Sequence, residues 1–258
     1  MTAPSKTFVI KGVGEAIITS ASDGSTVARL LRLGDMKLSL NFPTEKIYGG
    51  DGLYPFDTID KERTATVSFT NNEFDPDFLK AAMGATVTPN GTTEVQVMGE
   101  AKTIPSGTPY TVVLTNKTTA IETSVKVRYA DTGQEFTKVT TTPNTGQFSY
   151  ANGTLTFASA DAGKNILIDY KYTVTDGTLA SVLTTGQIPV VQIVHVSTFK
   201  DASGNNMKLT TTIYRAKANG TMEINRVRGT AATHALEFEI LDPGRPDKKM
   251  IDFAIARV

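Results

Sequence analysis

Four segments of this 258-residue chain alternate apolar and polar side chains with period two, and that alternation limits the fold more than any other feature. In "MKLSLNF" the apolar set is Met36, Leu38, Leu40 and Phe42; in "TATVSFT" it is Ala65, Val67 and Phe69. In "KLTTTIY" Leu209 and Ile213 share a face with Thr211, and in "ALEFEI" Leu236, Phe238 and Ile240 oppose Glu237 and Glu239. Such segments read as half-buried strands with one apolar and one wet face, the pattern of antiparallel sheets. The wet faces are rich in hydroxyls.

One stretch breaks the pattern. "EFDPDFLKAAMG" reads as a short helix with both ends marked: Asp75 as N-cap, Pro76 at the first helical position and Gly84 as a left-handed stop. Asp77 suits the first turn, and Phe74 has the spacing to pack on Leu79 as a hydrophobic staple. The residues expected to pack on a sheet are Phe78, Leu79, Ala82 and Met83.

The middle of the chain differs in texture. From about Thr93 to Asp176 threonine is dense, strands are short and turn signals recur closely, as in a small sandwich-like β unit. The expected organisation is a discontinuous host domain, 1–92 plus 177–258, with 93–176 inserted; one continuous β-domain is the competing reading. Asn-Gly-Thr at Asn90, Asn152 and Asn219 reads each time as a tight hairpin turn; these and "NKT" at Asn116 also match glycosylation sequons, which want of a secretory signal argues against.

Between the strands ending at Phe42 and starting near Glu62 runs "PTEKIYGGDGLYPFDTIDK". A loop longer than about 12–15 residues in a compact domain is usually functional or disordered. This one carries Ile47, Tyr48, Leu53, Tyr54 and Phe56, too many large apolar groups for a disordered linker. They are expected to cover a surface, in their own domain or on a neighbour.

Composition removes several function classes. Basic and acidic residues balance at 26 each, so no excess positive charge drives non-specific nucleic-acid binding. With no cysteine and two histidines, thiolate and imidazole-rich metal sites are out, and no cofactor is expected. "MTAPSKTFVIKG" lacks the apolar core of a signal peptide, and no run approaches the roughly 18 apolar residues of a membrane span, so a soluble protein made in a cytoplasm is expected. His195 and His234 read as structural histidines, and "DASGNN" from Asp201 as a turn, although it resembles the start of a calcium loop. Asp51, Asp57 and Asp60 match no standard cation loop. Glu237 and Glu239 read as a solvated pair rather than a glycosidase pair. No enzyme emerges.

The order of strand, long loop, strand and short helix, then an inserted β-domain and a closing set of strands, resembles the tail tube (major tail) proteins of tailed bacteriophages. "IDKERTATVSFTNNEFDPDFLKAAMGA" is similar to that family's strand running into its flanking helix, and "TIYRAKANGTMEINRVRGTAATHALEFEILDP" to its terminal hairpin and last strands. "GTLTFASADAGKNILIDYKY" is similar to a phrase common in phage structural proteins. The resemblance implies a mainly β fold of two packed antiparallel sheets with one flanking α-helix, plus an inserted Ig-like β-sandwich on the outside.

It further implies six-membered rings whose inner strands form a continuous β-barrel, stacked into a hollow tube in the virion tail. The subunit would be made in the bacterial host cytoplasm. Its partners would be other copies of itself, a tape-measure protein and tail terminator or tip proteins, with DNA only in transit. The neutral charge departs from the acidic chain an acidic lumen would suggest. On this reading the long loop reaches the next subunit, and Thr210, Thr212, Glu237 and Glu239 lie together facing the lumen. A capsid-decoration or adhesin-like β-sandwich module is the alternative.

Overall fold

The computed structural model describes residues 10, 12–201, 204–229 and 233–257. The reading of the N-terminal twelve residues falls almost wholly outside these, as do Ala202 and Ser203 of the Asp201–Asn206 turn. In chain order come β1 (Glu15–Ser20), β2 (Thr26–Leu30), β3 (Leu33–Asn41), β4 (Thr44–Ile47), β5 (Asp57–Asp60), β6 (Thr64–Asn71) and α1 (Pro76–Met83). Next are β7 (Thr86–Thr103), β8 (Thr111–Val113), β9 (Lys126–Tyr129), β10 (Thr137–Lys138), β11 (Gln147–Ala151), β12 (Thr154–Phe157) and β13 (Asn165–Ser181). The chain closes with β14 (Val190–Lys200), β15 (Asn206–Asn225), β16 (Thr233–Ile240) and β17 (Ile251–Arg257).

Two compact units result. One joins the residues up to Val87 with those from Ala180 onward; the other is Thr88–Leu179. The second is wider at both ends than 93–176 because the long strands β7 and β13 run through both crossings.

The first unit is built on one eight-stranded sheet, with β4 and β5 pairing apart from it. Its order is β2-β1-β14-β15-β16-β6-β3, with β17 pairing the first half of β15. Phe69 on β6 and His195 on β14 bring their ring centroids within 6.4 Å. Those strands lie three positions apart in the sheet, roughly 14 Å if it were flat. The sheet therefore curls, as large twisted sheets do, and its two halves share one core. Ala16, Ile18, Leu30, Val191 and Ile193 come from one half, and Val67, Phe69, Leu236 and Phe238 from the other. Each large side chain buried there contributes about 1.5–3 kcal/mol.

The helix closes part of this core. Asp75 Oδ1 accepts from Asp77 N–H at 2.9 Å, and Gly84, at φ +64°, donates to the Lys80 carbonyl at 3.0 Å. Phe78, Ala81 and Ala82 face inward and Met83 packs beside them. Leu79 does not join them; Ala81 takes the place expected of it. Residues 78, 81 and 82 form one helical stripe at i, i+3 and i+4, and Leu79 sits about 100° around the axis. Phe74 stays exposed, its ring 5.0 Å from that of His234.

In the second unit the sheets β10-β11-β12-β8 and β7-β13-β9 enclose a core that includes Ile104, Val127, Phe148, Leu155, Ile166 and Tyr170. β10 runs parallel to β11, so the chain is not wholly antiparallel. Buried Asp161 accepts from the Tyr129 hydroxyl at 2.6 Å and Gly146 N–H at 3.0 Å. Burial, and then that carboxylate, push the Tyr129 phenol up to about 12.

The three Asn-Gly pairs diverge. Asn152-Gly153, both at positive φ, turn the β11–β12 hairpin with Ala151 opposite Thr154. Asn90 instead lies inside β7 at φ +51°, and Asn219-Gly220 inside β15, where the register with β16 shifts between Ala218 and Met222. In β15 the positive φ of Gly220 serves a bulge in place of a turn.

β7 and β13 are neighbours in their sheet, so the chain leaves and re-enters the first unit along adjacent strands. Replacing residues 88–179 by a short Gly/Ser linker is expected to leave that unit folded. Far-UV circular dichroism should keep its β signal and thermal unfolding should stay cooperative.

Candidate assembly interface

The segment expected to be a long loop is half hairpin. β4 and β5 pair with each other from Thr44 opposite Asp60 to Ile47 opposite Asp57, and join no other sheet among the described residues. Phe56 N–H donates to the Ile47 carbonyl at 2.9 Å and Lys61 N–H to the Pro43 carbonyl at 2.9 Å. "TEKI" and "DTID" are too short and polar to show alternation, which is why the sequence reads as loop. A lone two-stranded hairpin is marginal in water. Its ion pairs, Lys61–Glu45 at 3.0 Å and Arg63–Asp60 at 2.6 Å, are exposed and add at most about 1 kcal/mol each.

The hairpin displays what a monomer usually hides. Leu53 is 89% exposed, Tyr54 85% and Phe56 72%. Tyr48 and Ile59 are also exposed, while Ile47 is half-buried. Ile59 belongs with this group and sequence reasoning passed over it, though its place two residues beyond Asp57 was readable. Clustered exposed apolar groups of this kind mark an interaction surface.

A second candidate surface is the outer face of the curled sheet. Along β16, Glu237 and Glu239 are exposed while Leu236, Phe238 and Ile240 are buried. Glu237 stands opposite Ser68, which stands opposite Lys37; Glu239 stands opposite Thr66 and, on its other side, Lys217. Asn219 Nδ2 donates to Glu237 Oε1 at 3.0 Å.

Thr210 and Thr212 alternate with buried Thr211 and Ile213, so they share that outer face. They are not neighbours of the glutamates. β15 is long enough to pair β17 along its first half and β16 along its second, and the threonines lie opposite Ala254 and Asp252 of β17. Lys37 and Lys217 place positive charge on the same rows as the carboxylates. Only the pairing register reveals that.

Both histidines are buried. His195 uses Nε2 to donate to the Val13 carbonyl. Between the paired strands β14 and β15, Asp201 Oδ1 accepts from Asn205 N–H at 2.8 Å.

No curated protein matches the chain. A family description does match, that of the YomU/Tube protein family, and it covers residues 8–254, spanning both units and the hairpin. The chain belongs to the YomU/Tube protein family, which places it among phage tube-like structural proteins.

Proposed function

We propose that the protein is the wall subunit of a phage tail tube, a component of the virion made in the host cytoplasm. Six copies close into a ring and rings stack around a lumen. The outer, hydroxyl-rich face of the curled sheet lines that lumen, and a closed wall removes exposed strand edges. A tape-measure protein occupies the channel during assembly, terminator or tip proteins close its ends, and DNA crosses it later. The near-balance of lysine and glutamate on the lining face suits a conduit, since an excess of lysine would hold phosphate. The second unit is an Ig-like module on this reading.

The observation that carries this reading is the β4–β5 hairpin, with large apolar side chains uncovered and, among the described residues, no strand partner beyond itself. Head-to-tail contacts need such a projecting element, and closure of the ring sets the copy number. Deleting residues 46–56 is expected to leave a folded, monomeric chain, because the hairpin contributes little to the main core. Negative-stain microscopy should show tubes or rings for the intact chain and none for the deletion, with β-type circular dichroism unchanged. Normal tubes from the deleted chain would remove the hairpin from the contact. Isolated particles from the intact chain would favour a surface-decoration module.

A further inference from the structure

The curled sheet does not close fully. Where β3 faces β14, β15 and β17, an open cavity of about 400 Å³ remains, lined by Met36, Leu38, Leu209 and Phe253. Phe253 is more than half exposed and Met36 and Leu38 are only partly covered. Ile10, Gly12 and Val13 also line the cavity, and α1, which packs against β2 and β15, does not reach it; among the described residues this part of the core is left open.

The floor of the groove is polar and unsatisfied. His195 and Ser197, both more than nine-tenths buried, line it. His195 Nε2 donates to the Val13 carbonyl, and in that tautomer Nδ1 is an acceptor; it has no partner among the described residues. Ser197 Oγ also has none among them. Buried polar atoms are normally paired, and an orphaned pair beside an apolar groove points to a missing donor. The side chain that suits such a site has an apolar body and a hydroxyl tip, which describes tyrosine.

We infer that this groove receives the β4–β5 hairpin of a second copy, with Tyr54 or Tyr48 seated between β3 and β17. Both tyrosines are exposed, and Leu53 and Phe56 beside them supply the apolar surface that Met36, Leu38 and Phe253 lack. The charges agree. Within the hairpin Glu45 pairs with Lys61 and Asp60 with Arg63, while Lys46 has no ion-pair partner among the described residues. Asp35 at the groove is likewise unpaired among them. Lys46 of one copy and Asp35 of the next complement each other. The hairpin leaves from β3, on the same unit as the groove, so one copy can offer its hairpin to the next while its own groove receives another. This seating rests on the ring-forming reading above and names the receptor for its contact.

The chain has no cysteine, so an introduced pair is unique. Full-length Tyr54→Cys and Leu38→Cys chains are mixed, assembled and oxidised, then run on a non-reducing gel. Random mixing lets each cysteine meet its counterpart about half the time, so the expected result is a covalent dimer from about half of the assembled chains. Tyr54→Cys with Lys37→Cys, on the opposite face of β3, should give none. If Leu38→Cys does not fold, Phe253→Cys, at an exposed rim position, replaces it with the same expectation. Tubes that form without a dimer from either groove cysteine, or that give one equally with Lys37→Cys, would overturn the seating and leave the tube reading standing. Intact chains that never associate would overturn both.

Discussion

Gly84→Ala is expected to destabilise the first unit by about 2–5 kcal/mol, although alanine is the better helix former. The first contribution is conformational. Gly84 ends α1 at φ +64°, where an L-residue costs roughly 1–2 kcal/mol. The second is steric, and larger. A Cβ at Gly84 would lie 2.1 Å from the Gln187 carbonyl oxygen and 2.7 Å from its carbon. Both are backbone atoms, so no rotamer change relieves the clash. The segment leading into β14 would have to shift, and with it Ile188, which packs on the main core. Gly24→Ala isolates the conformational part: Gly24 has φ +73° and open space around its Cβ position, so about 1–2 kcal/mol is expected. Urea denaturation of both variants gives the comparison. Equal losses would show that the Gln187 segment yields freely.

The same glycine marks how far the sequence could be read. Asp75, Pro76 and Gly84 define α1 to the residue because capping is local, set by side chains within one turn of the helix end. The approach of Gln187 to Gly84 joins residues more than a hundred positions apart, and no local pattern carries it. Strand faces were legible for the same reason as the caps. Ala65, Val67, Phe69, Leu236, Phe238 and Ile240 are all buried where alternation put them. Strand partners were not: β6 pairs with β16 and β1 with β14 across the whole second unit, and curling of one sheet follows from that order. Leu40 and Phe42 show the boundary between the two cases. They keep the apolar phase of β3 yet stay exposed, because alternation says which face a residue takes and not whether anything covers it. Of the candidate contact residues, the hairpin group was visible as an apolar loop. The groove was not, since its lining comes from β3, β14, β15 and β17 and its orphaned polar atoms exist only after folding.

Replacing both Glu237 and Glu239 by lysine is expected to leave the subunit folded and tubes normal while slowing DNA passage sharply at low salt. Both side chains are exposed on the face opposite Leu236 and Phe238, so the core is untouched. The local cost is the loss of the Asn219–Glu237 hydrogen bond and a like charge opposite Lys217, together on the order of 1 kcal/mol. The change in field is much larger. Each position goes from −1 to +1, so the chain moves from a formal net charge of +0 to about +4, all on one face beside Lys37 and Lys217. If that face lines the channel, every stacked ring repeats the change. Each lysine in contact with passing DNA binds phosphate and releases a counterion, so the retarding affinity falls steeply as salt rises. Screening works the same way: the Debye length is about 10 Å at 0.1 M and shortens as salt increases. Ejection from particles carrying the double variant should therefore be slow in dilute buffer and recover towards the normal rate in concentrated salt. A normal rate in dilute buffer would take the two glutamates off the lumen wall. So would labelling of cysteines at those positions by a reagent too large to enter the tube.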